Sequence, residues 1–155
     1  MRNFVCIVFY VCFIQICFGQ KTFTIKGKVI AQDLKVVPFA QMKIGDSIIG
    51  KTDLDGEFAI EINSEVRKIT FSFVGLEETQ IIFNSGCSKL EIVMLFSGGD
   101  CFAKPKKNER IRRKRFNNLS SFYKQAYEKG IFESDNPCGE IQFIPWFPRK
   151  NKPSP

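Results

Sequence analysis

Between residues 22 and 96 the chain is cut into short runs in which apolar and polar residues alternate one by one. Alternation with a period of two puts neighbouring side chains on opposite faces of an extended backbone, so these runs specify half-buried strands and exclude helices. EFAIEI is the cleanest, with Phe58, Ile60 and Ile62 on one face and Glu57, Ala59 and Glu61 on the other. KITFSFVG repeats the pattern with Ile69, Phe71 and Phe73. TFTIKGKVIA places Phe23, Ile25, Val29 and Ala31 opposite Thr24, Lys26 and Lys28. Gly27 falls on its inner face, where a missing side chain implies a close backbone approach or a bulge. PFAQMKI, SIIGKT, ETQIIF and KLEIVMLF bring the total to about seven strands joined by short turns, the pattern of a β-sandwich.

The stretch GKTDLDGEF invites a second reading, because Asp53 and Asp55 followed by Gly56 resemble the start of a calcium loop. An EF-hand loop needs oxygen ligands at positions 1, 3, 5 and 12 with glycine at 6. Counted from Asp53, the glycine falls at position 4 and position 12 is Ser64, so the ligand set fails. Strand-like runs on both sides make Asp55-Gly56 a hairpin turn, with glycine taking the positive φ.

Four pieces in order and spacing resemble the carboxypeptidase-regulatory-like domain. They are Gly27-Lys28-Val29, Pro38-Phe39-Ala40, the T-D-x-x-G-x-F piece from Thr52 to Phe58, and Phe71-Ser72-Phe73-Val74-Gly75. Thr52, Asp53, Asp55, Gly56 and Phe58 carry the most specific part. The family's usual aromatic after the last glycine is replaced by Leu76. The likeness covers about residues 22–96, half the chain. It implies a transthyretin-like (prealbumin-like) β-sandwich of a kind that accompanies metallocarboxypeptidases and opens many TonB-dependent outer-membrane receptors on the periplasmic side. Such domains are not themselves catalytic, and neither larger partner follows in this chain.

Ahead of the strands, residues 1–19 carry a basic Arg2 and an apolar run from Phe4 to about Ile16, ending on Cys17-Phe18-Gly19. The run is shorter than the roughly 20 residues of a spanning helix, and it reads as a cleaved signal peptide, with an uncleaved anchor as the alternative. The chain is thus expected to be exported, to the periplasm or outer membrane or beyond, with no transmembrane span in its mature part. A lipidated Cys17 is disfavoured by Ile16, where such signals take a small residue. Histidine is absent from all 155 residues, which removes the commonest metal ligand and the commonest base near neutral pH. No nucleophile–base pair, phosphate loop or metal cluster can be assembled, so an enzyme is not expected, and neither is a cofactor.

Residues 97–155 differ from residues 20–96: the first span carries a net +7 and the second a net −1. The C-terminal span begins with a basic stretch rich in helix formers, in which Phe116, Leu119, Tyr123 and Ala126 recur on one helical face. It ends in the extended apolar run IQFIPWFP. Residues 20–96 are expected to fold as the sandwich on their own, and residues 97–155 to form a basic helical appendage with an aromatic tail. Arg110, Arg112, Arg113, Lys114 and Arg115 spread widely around the helix, which suits solvated or intramolecular roles or an anionic envelope surface, and nucleic acid is an unlikely partner for an exported chain. Phe143, Trp146 and Phe147 either cover an edge of the sandwich or dock a partner. Three cysteines remain beyond the signal, and the expected bond is Cys101–Cys138 with Cys87 free, the fully reduced state being the alternative. Together these readings point to a non-catalytic exported binding or accessory module acting through the sandwich surface. The alternative is an electrostatic adaptor whose basic helix binds anionic lipid or polysaccharide.

Overall fold

A computed structural model describes residues 22–84, 86–98 and 104–146. The signal segment, Cys101 and Phe147 lie outside the described residues. The described chain is mainly β, with eight strands in two sheets and two helices placed between the seventh and eighth strands. The strands are β1 (Thr22–Ala31), β2 (Gln41–Ile44), β3 (Ser47–Lys51), β4 (Glu57–Asn63), β5 (Lys68–Ser72), β6 (Thr79–Ile82), β7 (Lys89–Met94) and β8 (Glu140–Gln142). The helices are α1 (Pro105–Asn117) and α2 (Leu119–Glu128), separated only by Asn118.

The sheets run β4-β1-β7 and β3-β2-β5-β6-β8, and they face each other in a sandwich-like arrangement. Alternation in the sequence becomes burial in the fold. In β4, Phe58, Ile60 and Ile62 enter the core while Glu57, Ala59 and Glu61 face outward. They meet Ile25, Val29, Leu90 and Ile92 from their own sheet and Met42, Ile69, Phe71 and Ile81 from the other. Gly27 is the close approach that the sequence implied. A Cβ there would lie 1.9 Å from the Leu90 carbonyl oxygen and 2.6 Å from Phe58 Cζ. The missing side chain lets β7 run parallel against β1 and seats the Phe58 ring beneath it, against Phe71 at 5.4 Å.

The β7 strand departs from simple alternation, since every residue from Leu90 to Met94 is buried. Continuous burial marks a strand covered on both faces. Its outer face is covered by α2: Ile30 and Val93 pack with Tyr123, Ala126 and Phe132 in a second apolar cluster. The β8 strand extends the five-stranded sheet beyond β6, pairing Ile141 with Ile81. The change in charge near Ser97 is therefore a change in composition across which packing continues.

One cysteine expectation is overturned. Cys138 is bonded to Cys87 across 51 positions of sequence. Pairing of β8 with β6 brings Cys138 beside the loop that follows β6, where Cys87 is buried in the core. That topology, which the spacing of cysteines does not reveal, chose the partner. A second correction concerns Phe73, expected to continue the inward face of its strand. β5 ends at Ser72, and Phe73 begins an exposed loop.

Candidate functional site

Strand directions place residues 32–40, 52–56, 73–78 and 95–98 at one end of the sandwich. Direct bonds join these segments. Ser97 donates its backbone N–H to Gly75, Glu77 to Leu95, and Val29 to Gly56. Of the nine exposed large hydrophobic side chains among the described residues, six belong to this end: Val36, Phe39, Leu54, Phe73, Val74 and Phe96. The others are Ile48, Tyr127 and Trp146. Val74 is 92% exposed, more than any other of them. Val36, Pro38, Phe73, Val74, Leu76 and Phe96 line a shallow depression of about 270 Å³. Scattered exposed apolar residues are ordinary, whereas six of them gathered at one end are not.

The turn motif builds the scaffold of this end. Asp53 Oδ1 accepts the backbone N–H groups of Asp55 and Glu57, at 3.0 and 2.7 Å, which commits that carboxylate to closing the β3–β4 turn. Gly56 takes a φ of +72°, and a Cβ there would meet the Val29 carbonyl oxygen at 2.6 Å. Thr52 is buried. Its hydroxyl donates to the Val37 carbonyl at 2.7 Å and accepts the Ala40 N–H at 2.8 Å. Thr52 also accepts the Phe39 N–H on its carbonyl. Phe39, held between these bonds, has a φ of +60°, a conformation costly for a bulky residue unless its surroundings enforce it. Thr52 and the Pro38-Phe39-Ala40 loop form one unit that presents Val36 and Phe39 to solvent.

The basic helix borders the same end, but its cations serve different roles. Arg112 is 4% exposed, so it does not join the expected anionic-surface group and takes the intramolecular role instead. Its Nε and Nη2 donate to the two carboxylate oxygens of Glu77 at 2.7 and 3.0 Å. Nη1 donates to Glu109 and Nη2 also to the Ile144 carbonyl, both at 3.0 Å. The guanidinium lies 4.3 Å from the Trp146 ring centroid and 5.3 Å from that of Phe143. The helix turns this residue toward Glu77, whose side chain is itself nearly buried. Arg115 donates to the carbonyls of Phe96 and Gly98, fastening α1 to the loop end. Arg113 is exposed, with Phe143 at 4.5 Å beneath it. Arg110 and Lys114 are exposed, as the charged coat required.

Of the aromatic docking candidates, Phe143 is half-buried between Phe116 and the two guanidinium groups, so it serves the fold. Trp146 keeps 47% of its surface exposed. Since β8 runs antiparallel to β6, the segment after it heads toward the loop end. Sequence reasoning missed Val36, Phe39, Phe73, Val74 and Phe96 as a surface. The available signal was apolar residues in VVPF and FVGL, at positions where turns take polar ones.

A larger open groove, about 1070 Å³, lies on the outer face of the β4-β1-β7 sheet where α2 leaves it uncovered. Its charges are largely matched internally. Lys28 pairs with Glu57 at 3.3 Å, and Lys89 with Glu133 at 2.6 Å and Glu91 at 3.6 Å. Glu91 also accepts the backbone N–H groups of Glu133 and Ser134, tying down the loop after α2. The hydrogen bond that Lys89 donates to Glu133 lifts its pKa above the ordinary value; burial opposes this and the Glu91 charge adds a smaller rise. An amine held protonated in this way is a poor base at neutral pH. Among the described residues no group of three or more acidic or cysteine side chains is placed to hold a metal, and no helix is long and apolar enough to cross a membrane. No protein-family model matches this chain, and no curated protein matches it either.

Proposed function

We propose that the protein is a non-catalytic, exported binding or accessory module of the cell envelope that acts through the loop end of its sandwich. The observation that carries this reading is the gathering there of six exposed large hydrophobic side chains, one of them on a strained Phe39 held by Thr52. Strain of this kind persists where the surroundings enforce it, and it accompanies binding loops. The motif resemblance to carboxypeptidase-regulatory-like domains and the apolar N-terminal run support a module at the envelope. The internally matched charges of the larger groove favour the loop end over it.

The second reading, an electrostatic adaptor, draws on the exposed Arg110, Arg113 and Lys114. Commitment of Arg112 and Arg115 to the fold weakens it as an independent mechanism. Retention of the chain from Gln20 onward on isolated envelope fractions tests the two. Phe73→Ser/Val74→Asp is expected to abolish retention, while Lys26→Glu in the groove leaves it intact. Retention lost only upon Lys26→Glu would move function to the groove. Retention lost with salt yet indifferent to Phe73 and Val74 would favour the adaptor.

A further inference from the structure

We infer that the loop end docks on an anionic lipid surface, its apolar side chains entering the interfacial layer while exposed cations of α1 meet lipid phosphates. This rests on the loop-end reading above and names the occupant of that surface. Three features on the molecule favour a bilayer over a protein.

The apolar side chains come from separate chain segments, and Val74 projects almost wholly into solvent. Between them lies only a depression of about 270 Å³. A protein partner must match such relief in shape, at the packing density of an interior. A fluid interface conforms to it and gains from each apolar group that leaves water.

The charges are arranged to suit the same contact. Arg115 fastens α1 to Phe96 and Gly98, so the helix that carries Arg110, Arg113 and Lys114 is fixed beside the apolar cluster. Most nearby acids are matched: Glu77 by Arg112, Glu78 by Lys43 at 3.8 Å and Asp33 by Lys35 at 3.2 Å. Asp53 is committed to its turn. Cations near an anionic leaflet add electrostatic attraction to its phosphates. Trp146 lies on a segment directed to this end, and tryptophan favours the headgroup level.

The test uses the chain from Gln20 onward, which keeps every residue of both apolar clusters. Vesicles of phosphatidylcholine alone, or mixed with phosphatidylglycerol, serve as probes. The sequence has one tryptophan, so quenching of Trp146 by brominated lipid reports depth without ambiguity. The protein is expected to sediment with the mixed vesicles, weakly with phosphatidylcholine alone, and to show quenching. Val74→Asp, at a site too exposed to disturb the core, should weaken binding about tenfold or more, since a charge replaces an apolar group at the interface. Arg110→Glu/Lys114→Glu should weaken binding to mixed vesicles only, and circular dichroism should show each variant folded.

Absence of binding to mixed vesicles overturns the lipid assignment. So does binding indifferent to Val74→Asp, which would mean surface attraction without insertion. If vesicles fail but Val74→Asp still removes retention on envelope fractions, the occupant is a protein and the loop-end reading stands. If Val74→Asp changes neither, both inferences fall.

Discussion

Arg112 grips Glu77 with two nitrogens, one on each carboxylate oxygen, at 2.7 and 3.0 Å. The pair joins three parts of the chain, because Arg112 also binds Glu109 of its own helix and the Ile144 carbonyl of the C-terminal segment. Removing one partner of a buried ion pair leaves the other charged, desolvated and unpaired, at a cost of about 3–5 kcal/mol. Arg112→Ala is expected to lose stability on that scale in urea unfolding. Arg112→Lys should recover little, because an ammonium cannot reproduce the planar fork or its stacking on Trp146. Arg110→Ala, two residues earlier and exposed, should be near neutral. Equal effects at positions 110 and 112 would contradict the assigned roles.

Tyr123 closes the free edge of β7. Its hydroxyl donates to the Glu91 carbonyl at 2.8 Å and accepts the Val93 N–H at 3.3 Å, taking the place of a neighbouring strand. Tyr123→Phe leaves both backbone groups without that partner, and about 1–2 kcal/mol should be lost near neutral pH. Burial pushes the hydroxyl pKa far above the ordinary phenol value, the Val93 bond pulls down and the Glu91 charge adds to the rise. A raised native pKa means that the folded protein holds this proton more tightly than the unfolded chain. The contribution is therefore complete below about pH 10 and is lost as pH rises beyond it. The stability gap between the native protein and Tyr123→Phe should narrow above that pH, and a gap constant to pH 11 would refute the account.

Strands were legible because alternation is a local signal: Phe58, Ile60 and Ile62 lie three to a face in both sequence and fold. The same pattern singled out Gly27, and of the close approach or bulge that an inner-face glycine implies, the fold shows the close approach. Arg112 and Cys87 were not legible, because their partners lie 35 and 51 positions away and depend on how the sheets are ordered. A helical run of cations reads the same whether one of them faces water or a buried glutamate. Phe73 misled for a related reason. An apolar residue past the end of a strand continues the alternation on paper, while the backbone has already turned.

Packing across Ser97 changes what truncation should do. A chain ending at Phe96 loses Tyr123, Ala126 and Phe132, and with them the cover over Ile30 and Val93. It also loses the β8 partner of β6 and the Cys87–Cys138 bond. Closing a loop of 51 residues is worth about 4 kcal/mol in the chain-entropy account. Residues 20–96 alone are thus expected to unfold at lower urea and to bind a hydrophobic dye, in place of the independent stability that their composition suggested. Cys138→Ser in the whole chain should show only the disulfide's share of that loss. Peptide mapping without reduction should recover Cys87 linked to Cys138, and recovery of a Cys101–Cys138 peptide would reverse the assignment.

Thr52 offers the sharpest separation of fold from function. Thr52→Val keeps the shape of the side chain and removes the hydroxyl that bridges the Val37 carbonyl and the Ala40 N–H. Leaving such buried groups unpaired costs about 1–3 kcal/mol, which a domain of this size survives. The larger consequence falls on Phe39, whose φ of +60° the clamp enforces. Freed of it, the loop should relax toward an ordinary backbone, and the Ala40 amide should exchange with solvent far faster than amides of the central strands. Binding through the loop end should then fall, in vesicle or envelope assays, more than a stability loss of that size can explain while the protein remains folded. A Thr52→Val protein with rapid Ala40 exchange and undiminished binding would show that the strained loop supports the fold alone, and that Val74 and Phe73 carry the contact without it.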